Sequence, residues 1–300
     1  MKTITFVNDS MQKLGVVTDK GILDIEYAVG VFSNQLEHAT YPLSITELIE
    51  GGAKARNDLE QVIEVALSSN RSNLFLAEDS DIEYGPSVTD PQKILCIGLN
   101  YKKHAEESNM SLPEKPIVFS KFNNALCGHR AKINLPKNAK EFDYEGELAI
   151  VIAKEAKDVS KEDAMSYIYG YTIANDFSAR DLQFQSPQWL LGKTSDQFCP
   201  IGPYLVTADE VADVKDLSVR TYVNKERRQD GNTAQMIFPC DEIISYLSKH
   251  MTLYPGDVIL TGTPDGVIMG YEESEREWLK TGDEIVIEIE KIGRLSNELI

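Results

Sequence analysis

The sequence predicts an α+β fold in which strands outnumber helices. Three observations carry that reading. Short runs rich in β-branched and apolar residues recur at 4–7, 14–17, 22–25, 94–98, 116–121, 146–154, 170–174, 217–224, 258–261 and 284–289. Helical patterns do not alternate with these runs one for one, as a doubly wound sheet requires. The segment Tyr84-Gly85-Pro86-Ser87-Val88-Thr89-Asp90-Pro91 is polar, turn-rich and carries two prolines, which marks a boundary inside a 300-residue chain. The expectation is a small N-terminal α+β domain over residues 1–85 and a larger one over 92–300.

The leading strands are joined by tight turns such as Asp19-Lys20-Gly21, and residues 25–70 then read as largely helical. Ser44 with Glu47 three residues on has the form of a capping box, and Leu59, Val62, Ile63 and Ala66 form a helical apolar stripe. From Lys93 the texture changes to strands. Ser160 is placed to begin a helix, with Glu162 and Asp163 in its first turn and Ala164, Ile168 and Tyr169 on one face. Residues 240–250 form a second helical pattern.

The formal net charge is −18, and a field of that sign argues against nucleic acid and anionic membrane as partners. It would also repel acidic substrates unless a local cation reverses the sign in a pocket. Cys96, Cys127, Cys199 and Cys240 are widely spread, with neither a zinc spacing nor a disulfide framework. The N-terminus lacks an apolar secretory segment, and no run approaches the roughly 20 apolar residues of a membrane span. A cytoplasmic protein with reduced thiols is expected.

The most informative stretch is Asp143-Tyr144-Glu145-Gly146-Glu147-Leu148-Ala149-Ile150-Val151-Ile152. Read as a strand, it puts Asp143, Glu145 and Glu147 on one face, about 6–7 Å apart in sequence. Carboxylates that enter an interior together either take up protons or hold a cation, and oxygen ligands suit Mg²⁺ or Mn²⁺. An edge strand with its acidic face in water is the competing reading of the spacing alone. Asp176, where the apolar run 171–174 ends, would complete a three-carboxylate set with Glu145 and Glu147, or would cap a turn.

His104 and Glu107 stand at i, i+3 and would share a helix face, where the carboxylate orients the imidazole as a proton acceptor. A solvated polar helix is the alternative. The segment 108–113 that follows has the composition of a loop able to close over a site. Arg180, Lys193 and Thr263 are candidates to hold an acidic substrate, each also readable as structural. No phosphate-binding GxxxxGK[ST] pattern is present. His129, Trp189 and Phe177 read as structural residues, and His38 and His250 have no notable context.

With these segments in order, the chain resembles the fumarylacetoacetate hydrolase family from about Lys93 to Ile300. The resemblance is carried by Gly98-Leu99-Asn100-Tyr101 with His104, Pro116-Ile117-Val118-Phe119-Ser120-Lys121, the acidic strand, Asn175-Asp176-Phe177-Ser178-Ala179-Arg180-Asp181, Gln188-Trp189-Leu190-Leu191-Gly192-Lys193, Pro255-Gly256-Asp257 through Pro264, and Ile292-Gly293-Arg294-Leu295-Ser296-Asn297. It implies a mixed β-roll or β-sandwich catalytic domain, a homodimer, and one Mg²⁺ or Mn²⁺ per subunit on Glu145, Glu147 and Asp176, with Asp143 a weaker candidate beside them. It implies His104 and Glu107 as a water-activating or proton-moving pair beside Lys193, and Arg180, Gln183, Lys193 and Thr263 as substrate contacts. Two departures stand out. Leu99 replaces a basic residue common in relatives, and Val223-Asn224-Lys225-Glu226 replaces Val-Asn-Gly-Glu, so that Asn224 must take any left-handed position.

The implied activity is a metal-dependent reaction of an enolisable 2-oxo acid through a stabilised enolate. C–C cleavage is favoured, by acylpyruvate-type hydrolysis or oxaloacetate decarboxylation. The alternative is an isomerase or tautomerase of oxaloacetate or a 2-hydroxy-dienedioate. A non-catalytic metal-binding scaffold is the reading from another class.

Overall fold

Backbone pairing ties the start of the chain to its middle. The computed structural model describes residues 1–36, 40–76 and 82–300, so His38 lies outside them. Strands Lys2–Asn8, Met11–Thr18 and Gly21–Asp24 form an antiparallel meander, and the first pairs with Cys199–Thr207 through Lys2↔Val206 and Thr3↔Leu205. The sheet then runs through Ile168–Asn175, Gly146–Ile152, Val258–Leu260, Ile94–Gly98 and Ile117–Lys121. It has twelve strands among the described residues and is mixed, since Val258–Leu260 and Ile94–Gly98 run parallel. A separate leading domain remains a proposal; the hydrogen bonding of the large sheet crosses its expected boundary.

A second sheet of five strands orders Glu226–Asn232, Ser218–Val223, Glu284–Ile289, Gly293–Leu299 and Lys132–Ile133. Neither sheet closes on itself, and the architecture is α+β as the strand count predicts. The central strand Gly146–Ile152 is buried at every position. Leu148, Ile150 and Ile152 face the second sheet, in one cluster with Val219, Ile285 and Ile287. Ala149 and Val151 face the other way, toward Leu59, Val62 and Ala66 of a helix. Burial on both faces explains why this strand reads as a continuous apolar run rather than an alternating one.

The helices are α1 (Ile25–Phe32), α2 (Ile45–Glu50), α3 (Gly52–Ser68), α4 (Lys102–Glu107), α5 (Arg180–Gln183), α6 (Leu190–Lys193) and α7 (Cys240–His250). Ser44 caps α2 by accepting from Glu47 N, while Glu47 reaches past the expected Ser44 amide to accept from Leu43 N. The helix expected from Ser160 does not form. Ser160 and Asp163 close a local turn, a 3₁₀ turn covers Ala164–Tyr167, and Ile168 and Tyr169 go into the sheet. Their burial against neighbouring strands overrides the helical pattern. Strands Cys199–Thr207, Glu226–Asn232 and Gly293–Leu299 were not among those expected; Pro200, Gly202 and Pro203 in the first of them read as loop residues.

The turn without glycine does form. Asn224 and Lys225 both take positive φ, 51° and 73°. Asn224 is held there by donating to Asp283 Oδ1 and accepting from Glu284 N. Side-chain bonding of this kind offsets the steric cost of the left-handed conformation. The four cysteines are free and buried. Among the described residues, no helix is long and apolar enough to cross a membrane.

Candidate active site

Three carboxylates converge where strands end. Glu145, Glu147 and Asp176 each offer an oxygen within 4.8 Å of the others, and all three are buried. The juxtaposition follows from sheet register. Gly146–Ile152 pairs antiparallel with Ile168–Asn175, with Gly146 opposite Asn175. Asp176 N donates to Glu145 O, and Asn175 Oδ1 accepts from Glu145 N, which locks the two strand ends together. Gly146 sits between two of the acids because a Cβ there would lie 2.3 Å from Thr221 Oγ1.

Asp143 does not join them. The strand is interrupted at Tyr144, so Asp143 belongs to the short pair Phe142–Asp143 with Ser178–Ala179. Its carboxylate accepts from Arg180 Nε at 2.9 Å and from the amides of Ile268 and Met269. Arg180 Nη2 lies 2.9 Å from Asp143 and 2.6 Å from Glu145 Oε1. Both contacts are ion pairs, so one guanidinium ties Asp143 to Glu145. Arg180 Nη1 donates to Gln183 Oε1.

Lys193 Nζ donates to Glu145 Oε2 at 2.9 Å and to Asp176 Oδ2 at 2.8 Å. Gly192 makes this reach possible, because a Cβ there would lie 2.5 Å from Gln183 and push α6 off α5. Sequence reasoning missed Lys121. Its fully buried ammonium donates to Asp176 Oδ1 and to Phe177 O. A lysine ending an apolar strand was the available signal, since a cation buried there needs a partner.

The three acids are unequally compensated. Burial raises the pKa of Glu145, but Lys193, Arg180 and His104 outweigh it and hold the carboxyl well below its ordinary range. Burial lowers the pKa of Lys193, and Asp176 and Glu145 more than restore it. Glu147 has no cationic side chain within ion-pair distance among the described residues, and Gly262 N is its donor. Burial, with Asp176 and Glu145 nearby, pushes it well above the ordinary carboxyl range. A buried carboxylate short of positive charge, beside two others, fits a hard divalent cation.

The two residues expected to move protons sit beside this cluster. His104 and Glu107 share a face of α4, and Nδ1 lies 2.8 Å from Glu107 Oε1. With Nδ1–H given to the carboxylate, the neutral ring leaves the Nε2 lone pair free to take a proton. Glu107 Oε2 accepts from Gly266 N, and Gly270 admits the side chain because a Cβ there would fall 2.5 Å from Glu107 Cδ. Asn100 anchors the entry to this helix by donating to Phe238 O and Thr261 O and accepting from Phe238 N.

His104, Glu145, Glu147, Arg180, Lys193 and Thr263 line one cavity of about 20 Å³, room for about one water. Gln183 also lines it, as does Met110 from the loop expected to close over the site. Leu99, in a left-handed conformation at φ 55°, forms part of an apolar wall with Phe119 and Trp189. Trp189 is therefore more than a packing residue: Gly98 leaves its ring the space to approach. Phe177 stays in the core against Phe142 and Phe198, and His129 lies elsewhere.

Thr263 is placed by a residue the sequence reading passed over. Gln229, buried on strand Glu226–Asn232, donates to Thr263 Oγ1 and Pro264 O and accepts from Gly146 N and Thr221 Oγ1. Thr263 Oγ1 in turn donates to Gly146 O, so its hydroxyl proton is committed inside the protein. Toward the cavity it can offer only an acceptor or its backbone.

The family model for the fumarylacetoacetate (FAA) hydrolase C-terminal region matches residues 93–300. The chain is 41% identical over 273 residues to human mitochondrial oxaloacetate tautomerase FAHD2A, covering 90% of this chain and 84% of that protein. It is 49% identical over 313 residues to the Dictyostelium discoideum fumarylacetoacetate hydrolase domain-containing protein 2 homolog, covering 100% and 97%. The solved structure of fumarylacetoacetate hydrolase from Exiguobacterium antarcticum superposes with a TM-score of 0.80 at 32% identity, covering 100% of this chain and 99% of that one. The human, rat and bovine relatives are named as mitochondrial proteins, which overturns the cytoplasmic expectation. That expectation rested on lacking a secretory segment and a membrane span, and neither feature bears on an organelle.

Proposed function

The chain belongs to the fumarylacetoacetate hydrolase family of enzymes, and from that premise we propose that it interconverts the keto and enol forms of a small 2-oxo dicarboxylic acid of the oxaloacetate type. One observation carries the reading: a histidine oriented for proton transfer shares a small cavity with Glu145, Glu147 and two buried cations. The oxaloacetate tautomerase names of relatives at 41–42% identity support the choice of substrate and place this reaction ahead of C–C cleavage. Cleavage is the second reading, favoured by the hydrolase named above at a TM-score of 0.80.

Charge balance supports an anionic substrate. Asp143, Glu145, Glu147 and Asp176 bring four negative charges against three positive ones from Lys121, Arg180 and Lys193. Glu145, Glu147 and Asp176 would hold a Mg²⁺ or Mn²⁺, which supplies Lewis-acid stabilisation of an enolate oxygen when bound. That would leave the ionised cluster one charge positive and reverse the overall field locally.

His104 Nε2 takes the proton from the carbon beside the 2-oxo group. The C–H electron pair becomes the C=C bond, and the carbonyl oxygen gains the negative charge that Lys193 and Arg180 face. Return of the proton to that oxygen completes the enol with no net change in the enzyme. Leu99, Phe119 and Trp189 exclude water from the enolate's flank.

The test is oxaloacetate at neutral pH with and without Mg²⁺ or Mn²⁺, following enol absorbance and pyruvate together. Metal-dependent keto–enol exchange without pyruvate is expected, and Glu147→Gln should abolish it along with Mn²⁺ binding. Metal-dependent pyruvate formation instead would make this a C–C lyase.

A further inference from the structure

A second cavity, of about 440 Å³, lies apart from the site above and has the size of a small-molecule site. His129, Arg130, Arg294, Tyr84 and Glu284 line it.

Its floor is a built turn. Asn297 Nδ2 donates to Gly128 O and Ala131 O, and Arg130 N donates to Ser296 O at 2.7 Å. Gly128 lies so close to the Tyr84–Gly85 backbone that a Cβ would come within 2.2 Å of Tyr84 O. Arg130 is held at φ 61°, a conformation a non-glycine residue adopts only when its surroundings enforce it. Ser296 N donates to His129 Nδ1, which places the neutral ring's proton on Nε2.

The donors here are poorly compensated. Among the described residues, no carboxylate lies within ion-pair distance of Arg130, whose guanidinium stands 6.0 Å from the Tyr84 ring. Arg294 Nε reaches Glu288 at 3.6 Å, and Glu284 already accepts from Ser296 Oγ. Burial, and then Arg130 and Arg294 nearby, drives the His129 imidazole down to about 4. Such a cluster of basic groups is unexpected on a chain with 48 acidic residues against 30 basic ones.

We propose that this cavity is a second binding site for a small polyanion carrying carboxylate or phosphate groups, gripped by Arg130 and Arg294 with the His129 N–H as a further donor. Two guanidiniums around one concavity suit paired anionic oxygens, which each can bind in bidentate fashion.

Calorimetric titration of the full chain, stripped of metal and dialysed, with inorganic phosphate and separately with citrate tests this. Saturable binding of either probe is expected, with the responding probe identifying the anion class. Arg130→Gln and Arg294→Gln should each weaken it at least tenfold, and Glu147→Gln should leave it unchanged. Both arginines are exposed, so the variants should keep the parent's melting temperature. The proposal is overturned if neither probe binds by about 10 mM, a millimolar Kd being barely −4 kcal/mol. It is equally overturned if Glu147→Gln, rather than the arginine variants, removes binding. If neither probe binds and the arginine variants convert a dimer to a monomer by sedimentation, the face is an interface between copies.

Discussion

Glu107 Oε1 stands 2.8 Å from His104 Nδ1, one turn apart on a six-residue helix, and the second oxygen of the same carboxylate is tied to Gly266 N. One carboxylate thus orients the base and docks the helix that carries it. His104→Ala should lower the exchange rate by about 10²–10⁴-fold, the usual worth of a positioned acid–base group, while Mn²⁺ affinity stays at the parent value. Stopped-flow enol absorbance with a parallel Mn²⁺ titration separates the two effects. A variant that lost both would place His104 in cation binding instead.

Gly270→Ala probes the docking without touching a charged group. The new methyl would meet Glu107 Cδ at 2.5 Å, and Glu107, tied at both oxygens, has no slack to yield. Gly270 is not among the glycines at positive φ, so the backbone tolerates the change. The expected result is a fall in kcat of about tenfold or more with a near-parental melting temperature, because the misplacement falls on the catalytic group. Unchanged kcat would show that the Glu107 contact is dispensable.

Gln229→Leu should cost stability as well as activity. It strands Gly146 N and the other partners of a fully buried amide, at about 1–3 kcal/mol for each group left unsatisfied. Urea unfolding should show a loss of about 3 kcal/mol or more, and Mn²⁺ affinity should fall because Gly146 lies between Glu145 and Glu147. Gln229→Glu, which keeps the shape but loses two donors, should sit between Leu and the parent.

The contrast between these residues shows what was legible in the sequence. Glu145, Glu147 and Asp176 lie next to strand ends that local pattern reveals, and period-two spacing brings the first two to one place. The same rule misassigned Asp143, because the chain breaks strand geometry at Tyr144 and sends the carboxylate to Arg180. Gln229 was invisible for a different reason. Glu226-Arg227-Arg228-Gln229-Asp230-Gly231-Asn232 is polar throughout, and only pairing with Ser218–Val223 turns one of its side chains inward. Lys121 likewise acquires meaning from Asp176, 55 residues away. Local chemistry was readable, whereas partners set by sheet register were not.

His129 gives the chain a defined acid sensitivity. Its imidazole titrates near 4 in the folded protein, because burial, then Arg130 and Arg294, disfavour the charged form, against about 6.5 when unfolded. Between these values the unfolded chain binds more protons, so stability from neutral His129 is complete above about pH 6.5 and is lost as pH falls toward 4. His129→Gln should flatten this part of the profile. Urea midpoints at neutral pH and near pH 4.5 provide the comparison, and an equal drop in both proteins would assign the sensitivity to other groups.

The loop from Gly262 to Met269 receives carboxylates from three separate elements. Gly262 N is held by Glu147, Gly266 N by Glu107, and the amides of Ile268 and Met269 by Asp143. Four amides within eight residues therefore report on the acid cluster, the docked helix and the arginine anchor in turn. Residue-resolved hydrogen exchange along this short stretch would resolve which part of the site opens first, with no label added and no substrate present.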